Sequence, residues 1–158
     1  MGKRRTLGLL LCLLLLLCTA CGGRTQNDTG DLHCTVTIEC TTVLAHMDDL
    51  SSGKAEIIPA DGVLLPETVV AFSEGDTVFD VLQRVCRAQG IHMESNWTPA
   101  YNSAYIEGIG NLSGWMYSVN GVWPDYGCSS CTLHDGDTVV WSYTCDLGRD
   151  VGARQGEP

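Results

Sequence analysis

The stretch GWMYSVNGVWPDYGCSSC, residues 114–131, decides how the chain folds. Its Asn120-Gly121 pair lies between two short apolar runs, 115–119 and 122–123. Asn-Gly in that setting is the strongest short-range hairpin signal, because a tight two-residue turn needs positive φ at both positions. Strand alternation then predicts Trp115, Tyr117, Val119 and Val122 on one face, with Met116, Ser118 and Trp123 on the other. Toward the C-terminus, residues 138–145 place Val139, Trp141, Tyr143 and Cys145 on one side of a closing strand. Toward the N-terminus, Val78, Val81, Leu82, Val85 and Cys86 recur at the spacing of one helical face. Thr77 is placed to cap that helix, with Asp80 at the capping-box position and Gly90 to end it.

Further upstream, residues 34–40 alternate and are β-branched, a first strand. Residues 62–72 read as a second strand, broken at Pro66 and therefore bent or at an edge. Residues 44–62 include a polar turn or short helix. Residues 96–114, rich in Tyr, Asn, Ser and Gly, are expected as a long, partly extended loop. The order of elements predicts an α+β domain, one helix packed on a mixed sheet, with a β-grasp-like topology.

Nine Lys and Arg stand against nineteen Asp and Glu, for a formal net charge of −10. Lys3, Arg4 and Arg5 precede a leucine-rich run over 7–17, a layout that predicts a secretory signal peptide too short to span a bilayer. The following Cys18-Thr19-Ala20-Cys21 resembles the lipobox of bacterial lipoproteins, with Cys18 where leucine is usual. That resemblance implies a signal peptide over 1–20 and diacylation of Cys21. The product would be exported, anchored to the bacterial cell membrane by its lipid, and facing outward. Residues 21–32 would form a flexible tether, 33–147 the domain, and 148–158 a disordered tail. Loss of the signal removes three cations and no acids, which excludes nucleic acid as a partner.

With Cys21 lipidated, Cys34, Cys40, Cys86, Cys128, Cys131 and Cys145 remain in the exported part. An even number in such a domain predicts a disulfide-stapled fold, with connectivity left open. Cys34 and Cys40 are not expected to pair with each other, since six strand residues span about 20 Å. A thiol oxidoreductase reading of Cys128-x-x-Cys131 lacks a helix N-terminus at its first cysteine. A zinc reading lacks a fourth ligand at the usual spacing, so no metal ligand is assigned. The echo of 74–78 in 135–139, each containing Gly-Asp-Thr-Val, predicts paired Gly turns rather than a calcium loop. None of the four histidines stands at a spacing that completes a nucleophilic or metal site, so the domain is expected to be non-enzymatic.

The block from Ser113 to Gly121, Tyr126-Gly127-Cys128, the run from Asp135 to Tyr143, and Phe79-Asp-Val-Leu82 together resemble the small β-domain at the C-terminus of transcobalamin and intrinsic factor. They resemble still more its stand-alone bacterial relatives. This resemblance spans 33–147 and implies a ligand surface at Ser113, Trp115, Tyr117 and Asn120, with Trp123 and Tyr126 beside them. It implies cobalamin or another corrinoid as ligand, with no required cofactor. The large helical barrel that completes the cage in the animal proteins is missing here, so a partner protein is a further expectation. The alternatives are a carbohydrate-binding or adhesion module, since exposed aromatics mark binding surfaces, and the thiol oxidoreductase.

Overall fold

The computed structural model describes residues 32–50 and 52–153. The signal peptide, Cys21 and nearly all of the tether therefore lie outside the described residues. Strand β1 (Leu32–Glu39) turns Cys34, Val36 and Ile38 into the core, as its alternation requires. A 3-10 helix (Thr41–Asp49) and the single turn α1 (Ser52–Ala55) lead to β2 (Val63–Phe72). Helix α2 (Val78–Gln89) follows, then β3 (Met93–Thr98), β4 (Ser103–Ile109), β5 (Trp115–Val119), a short 3-10 helix (Cys128–Ser130) and β6 (Thr138–Tyr143).

The main sheet runs in the order β2-β1-β6-β5. Its two central strands come from opposite ends of the domain and lie parallel, from Thr35 beside Thr138 to Glu39 beside Ser142. The outer pairs are antiparallel. β2 is an edge strand, and its register slips by one residue between the pairs Val36–Thr68 and Ile38–Leu65. Pro66 sits in that bulge, where a residue without an N–H is tolerated.

Helix α2 covers the sheet with Val78, Val81, Leu82, Val85 and Cys86, which pack with Val36, Ile38, Phe72, Val139 and Trp141 in one core. Its start is a full capping box. The Thr77 hydroxyl accepts from the Asp80 N–H, and the Asp80 carboxylate accepts from the Thr77 N–H at 2.9 Å. Gly90 ends the helix at φ 68°. The two echoed motifs fold alike. In each, the last residue of a four-residue turn returns its N–H to the first carbonyl, and its carboxylate accepts the first N–H: Ser73 with Asp76, His134 with Asp137. Gly75 and Gly136 supply the positive φ of those turns.

Three expectations change. Most of residues 96–114, expected as a partly extended loop, is regular strand: β3 and β4 form a two-stranded antiparallel ribbon, turned at Asn102 with φ 46°, and only 110–114 connect irregularly to β5. Ala104 and Ile106 face inward while Tyr105 and Glu107 face solvent, a period of two masked by polar composition. Second, Asn120-Gly121 does make the tight turn, closed by Val119 and Val122 through bonds of 2.9 and 3.0 Å. The strand expected after it does not form, because Pro124 follows at once, and β5 pairs instead with β6. Third, no disulfide joins the six cysteines: Cys34, Cys40, Cys86, Cys128 and Cys131 are buried as thiols and Cys145 is exposed. Each buried sulfur is packed into the apolar interior, and the Cys34 thiol lies 3.9 Å from the Val70 carbonyl.

Beyond β6, residues 144–153 close in turns. The Asp150 carboxylate takes the Thr144 hydroxyl and the Cys145 N–H, and Gly148 is buried against Met116.

Replacing Thr77 by Ala removes one half of the capping box and is expected to lower stability by about 1 kcal/mol. Thermal denaturation should show a Tm a few degrees lower. An unchanged Tm would mean that packing alone sets the start of α2.

Candidate functional site

The β3–β4 ribbon is a sheet of its own, packed on the common core through Ile106 and Ile109, and the chain from Trp123 to Gly127 runs alongside it. Contact between the two is close because Gly127 has no side chain. A Cβ there would lie 1.7 Å from the Ser103 Oγ. The backbone of Gly127 is ordinary, at φ −69°, so room and not conformation demands the glycine. Ser129 completes the joint: its hydroxyl meets the Ser103 hydroxyl at 3.0 Å and accepts the Ala104 N–H at 2.9 Å. The short 3-10 helix is tied in turn to α2, whose Val78 N–H donates to the Cys131 carbonyl at 2.9 Å.

Between ribbon and segment lies a groove of about 490 Å³. Thr98, Tyr101 and Tyr105 form one side, Pro124, Asp125 and Tyr126 the other. The three tyrosines are 81%, 62% and 52% exposed, so their rings are presented to solvent rather than packed. A smaller recess of about 130 Å³ shares Ala104, Tyr105 and Gly127 with the groove and is lined further by Ile106, Trp115, Tyr117 and Trp141. Trp141 is buried, and its indole N–H has no acceptor among the described residues. A buried donor left unpaired is costly.

The residues expected to bind ligand separate into two groups. Tyr126 lines the groove, and Trp115 and Tyr117 line the recess. Tyr117 is buried, stacks on Trp141 with ring centres 5.3 Å apart, and donates its hydroxyl to the Tyr126 carbonyl at 2.9 Å. Trp115 is half-buried, edge-on to Tyr143 at 5.7 Å, and donates to the Leu112 carbonyl. Ser113, Asn120 and Trp123 line neither space. Asn120 bolts the hairpin tip to the turn before β6, donating to Asp137 at 2.8 Å and accepting from the Thr138 N–H at 2.9 Å. Tyr101 and Tyr105 were not singled out from sequence, although the outward position of Tyr105 in an alternating run was a usable signal.

Cys128 and Cys131 lie beneath this wall, buried. Burial pushes the Cys128 thiol up to about 12, so it stays protonated and is a poor nucleophile. The Tyr126 hydroxyl reaches the Cys131 sulfur at 3.9 Å, and that contact is the main reason its own acidity is weakened. Among the described residues, no group of three or more His, Cys, Asp or Glu is gathered as a metal site.

Residues 75–145, which hold α2, the ribbon, β5 and β6, match a family described as a domain of unknown function, DUF4430. No curated protein sequence matches the chain. Among solved structures, a candidate metal-binding protein from Ruminococcus gnavus is similar at 17% identity and a TM-score of 0.37, over 70% of this chain and 94% of that one. Haptocorrin in complex with Cbi is similar at 17% identity and a TM-score of 0.43, over 71% of this chain and 26% of haptocorrin.

Gly127→Ala should force the segment off β4 and cost about 1–3 kcal/mol. Adding Ser103→Gly should recover part of the loss in urea denaturation, which a purely conformational effect at Gly127 would not allow. The buried thiols set a pH dependence. Burial raises Cys34 and Cys86 to about 11 and Cys128 to about 12, against an ordinary 9.0. A raised folded-state value favours the protonated fold, so this stability is complete below about pH 9 and is lost as pH rises toward 11–12. The urea midpoint in reductant should therefore fall between about pH 8 and 10.5; a constant midpoint contradicts it.

Proposed function

We propose that this is an exported, lipid-anchored protein whose β-grasp-like domain binds a small molecule without transforming it, in the groove between Tyr105 and Tyr126. One observation supports this above all: three exposed tyrosines line a single groove whose two walls are locked together by Gly127, Ser103 and Ser129. Side chains in water gain nothing from such an arrangement, whereas a flat ligand laid across it covers aromatic surface. The volume lies in the range of small-molecule sites, about 300–1,000 Å³. The recess behind it extends the apolar lining with Trp115, Tyr117 and Trp141.

The resemblance to the transcobalamin C-terminal domain makes a corrinoid the first ligand to test. A carbohydrate is the second reading, favoured by the openness of the tyrosine platform and by the hydroxyls of Thr98 and Ser130 at its margin. Disulfide chemistry is disfavoured by the burial of Cys128 and Cys131. No required cofactor enters this reading.

Equilibrium dialysis of the full chain, in a mild polyoxyethylene detergent, against cobalamin should retain the ligand in the micromolar range and shift its visible spectrum. Tyr105→Ala should weaken retention by about tenfold, the order of one aromatic stack. Absence of retention overturns the corrinoid reading. Glycan retention that depends on Tyr105 would establish the carbohydrate reading in its place, and indifference of both ligands to Tyr105→Ala would remove the groove from consideration.

A further inference from the structure

The groove lies in a part of the chain with an unusual charge pattern. Between Arg87 and Arg149 there is no lysine or arginine. The same stretch carries Glu94, Glu107, Asp125, Asp135, Asp137 and Asp146. It supplies both walls of the groove, and Asp125 is the one ionisable carboxylate among the lining residues. A site for a phosphate or a carboxylate would be built the other way, with guanidinium or ammonium groups aimed inward. Within this stretch no lysine or arginine is available to pair an anion.

Aromatic rings add to the same field. The face of a tyrosine ring is the negative part of its quadrupole and attracts a cation placed over it. Proteins often fill such faces with their own Lys or Arg, and none is available here along the entire ribbon or the facing segment. Tyr101, Tyr105 and Tyr126 therefore present three ring surfaces beside Asp125.

Resting on the reading of this groove as a ligand site, we propose that its occupant is an organic cation, with a methylated ammonium group seated among Tyr101, Tyr105 and Tyr126 and Asp125 as counter-charge. A methylated ammonium is weakly hydrated and apolar on its surface, so it suits an aromatic wall better than a metal ion does. Strongly hydrated alkali cations lack that match.

The test uses two probes of equal shape and different charge: choline and its neutral isostere 3,3-dimethylbutan-1-ol. Isothermal titration of the full chain in maltoside detergent should give saturable choline binding. The neutral isostere should bind at least about tenfold more weakly. Raising NaCl should weaken choline, since exposed charges are screened beyond about 8–10 Å near physiological salt. Tyr105→Ala and Asp125→Asn should each reduce choline affinity several-fold, and a Glu107→Gln control on the solvent face of β4 should have the smaller effect. Equal affinity for the two probes, or no saturable choline binding, overturns the inference. If cobalamin or a glycan is retained through Tyr105 while choline is not, the groove remains a binding site and only the charge preference falls. If Tyr105→Ala alters none of them, both readings fall together.

Discussion

The parallel pairing of β1 with β6 is the constraint on which the remainder of the structure rests. These strands are separated by about a hundred positions and meet at the middle of the sheet. Val36 and Ile38 on one, Val139 and Trp141 on the other, are all 2% exposed or less. Their side chains form the floor on which α2 lies, and their hydrogen bonds fix how far β5 reaches. The Thr35 N–H even donates to the Asp137 carbonyl, so the turn before β6 is positioned by β1. Loss of that pairing would leave the hairpin tip, the short 3-10 helix and the groove wall without a common reference.

What the sequence made legible follows from how local each signal is. The capping box, the apolar stripe of α2 and the αL glycine after it depend on neighbours within one or two turns, and they appear as expected. Asn120-Gly121 adopts its turn for the same reason. The choice of partner for β5 is non-local: Val122 and Trp123 are adjacent in sequence, but β6 offers five consecutive paired residues and no proline. The β3–β4 ribbon is hard to read because β3 exposes Glu, Ser, Asn and Trp while β4 turns Ser, Ala and Gly inward beside its isoleucines. Binary patterning is then faint: β4 alternates from Ala104 to Gly108, but β3 exposes four residues in a row. The cysteines illustrate a different limit. Their even number argued for bridges, yet five of them serve as small apolar residues in a close-packed interior, and Cys145 lies at the surface.

The aromatic residues sort by depth. Trp141 and Tyr117 are core, Trp115 lies at the boundary, and Tyr101, Tyr105 and Tyr126 are outside. No feature of a lone aromatic in sequence assigns its layer, which explains why only part of the expected ligand surface lines the groove or the recess. Tyr117 nevertheless connects the layers, because its hydroxyl holds the Tyr126 carbonyl. The groove wall thus hangs from a side chain anchored in the sheet. Such a wall is set before any ligand arrives, and less ordering entropy is lost on binding.

The bulge in β2 has a consequence for how these molecules behave toward one another. An edge strand is a template on which a neighbouring chain can add a strand of its own, and Val69, 67% exposed, would welcome one. Pro66 withdraws one donor from that edge, the extra residue breaks its register, and Glu67 places a charge beside the break. An incoming strand would find its ladder interrupted after a few residues. A sequence irregularity that weakens one edge of the sheet therefore acts as a guard against aggregation, most useful where many copies are crowded together.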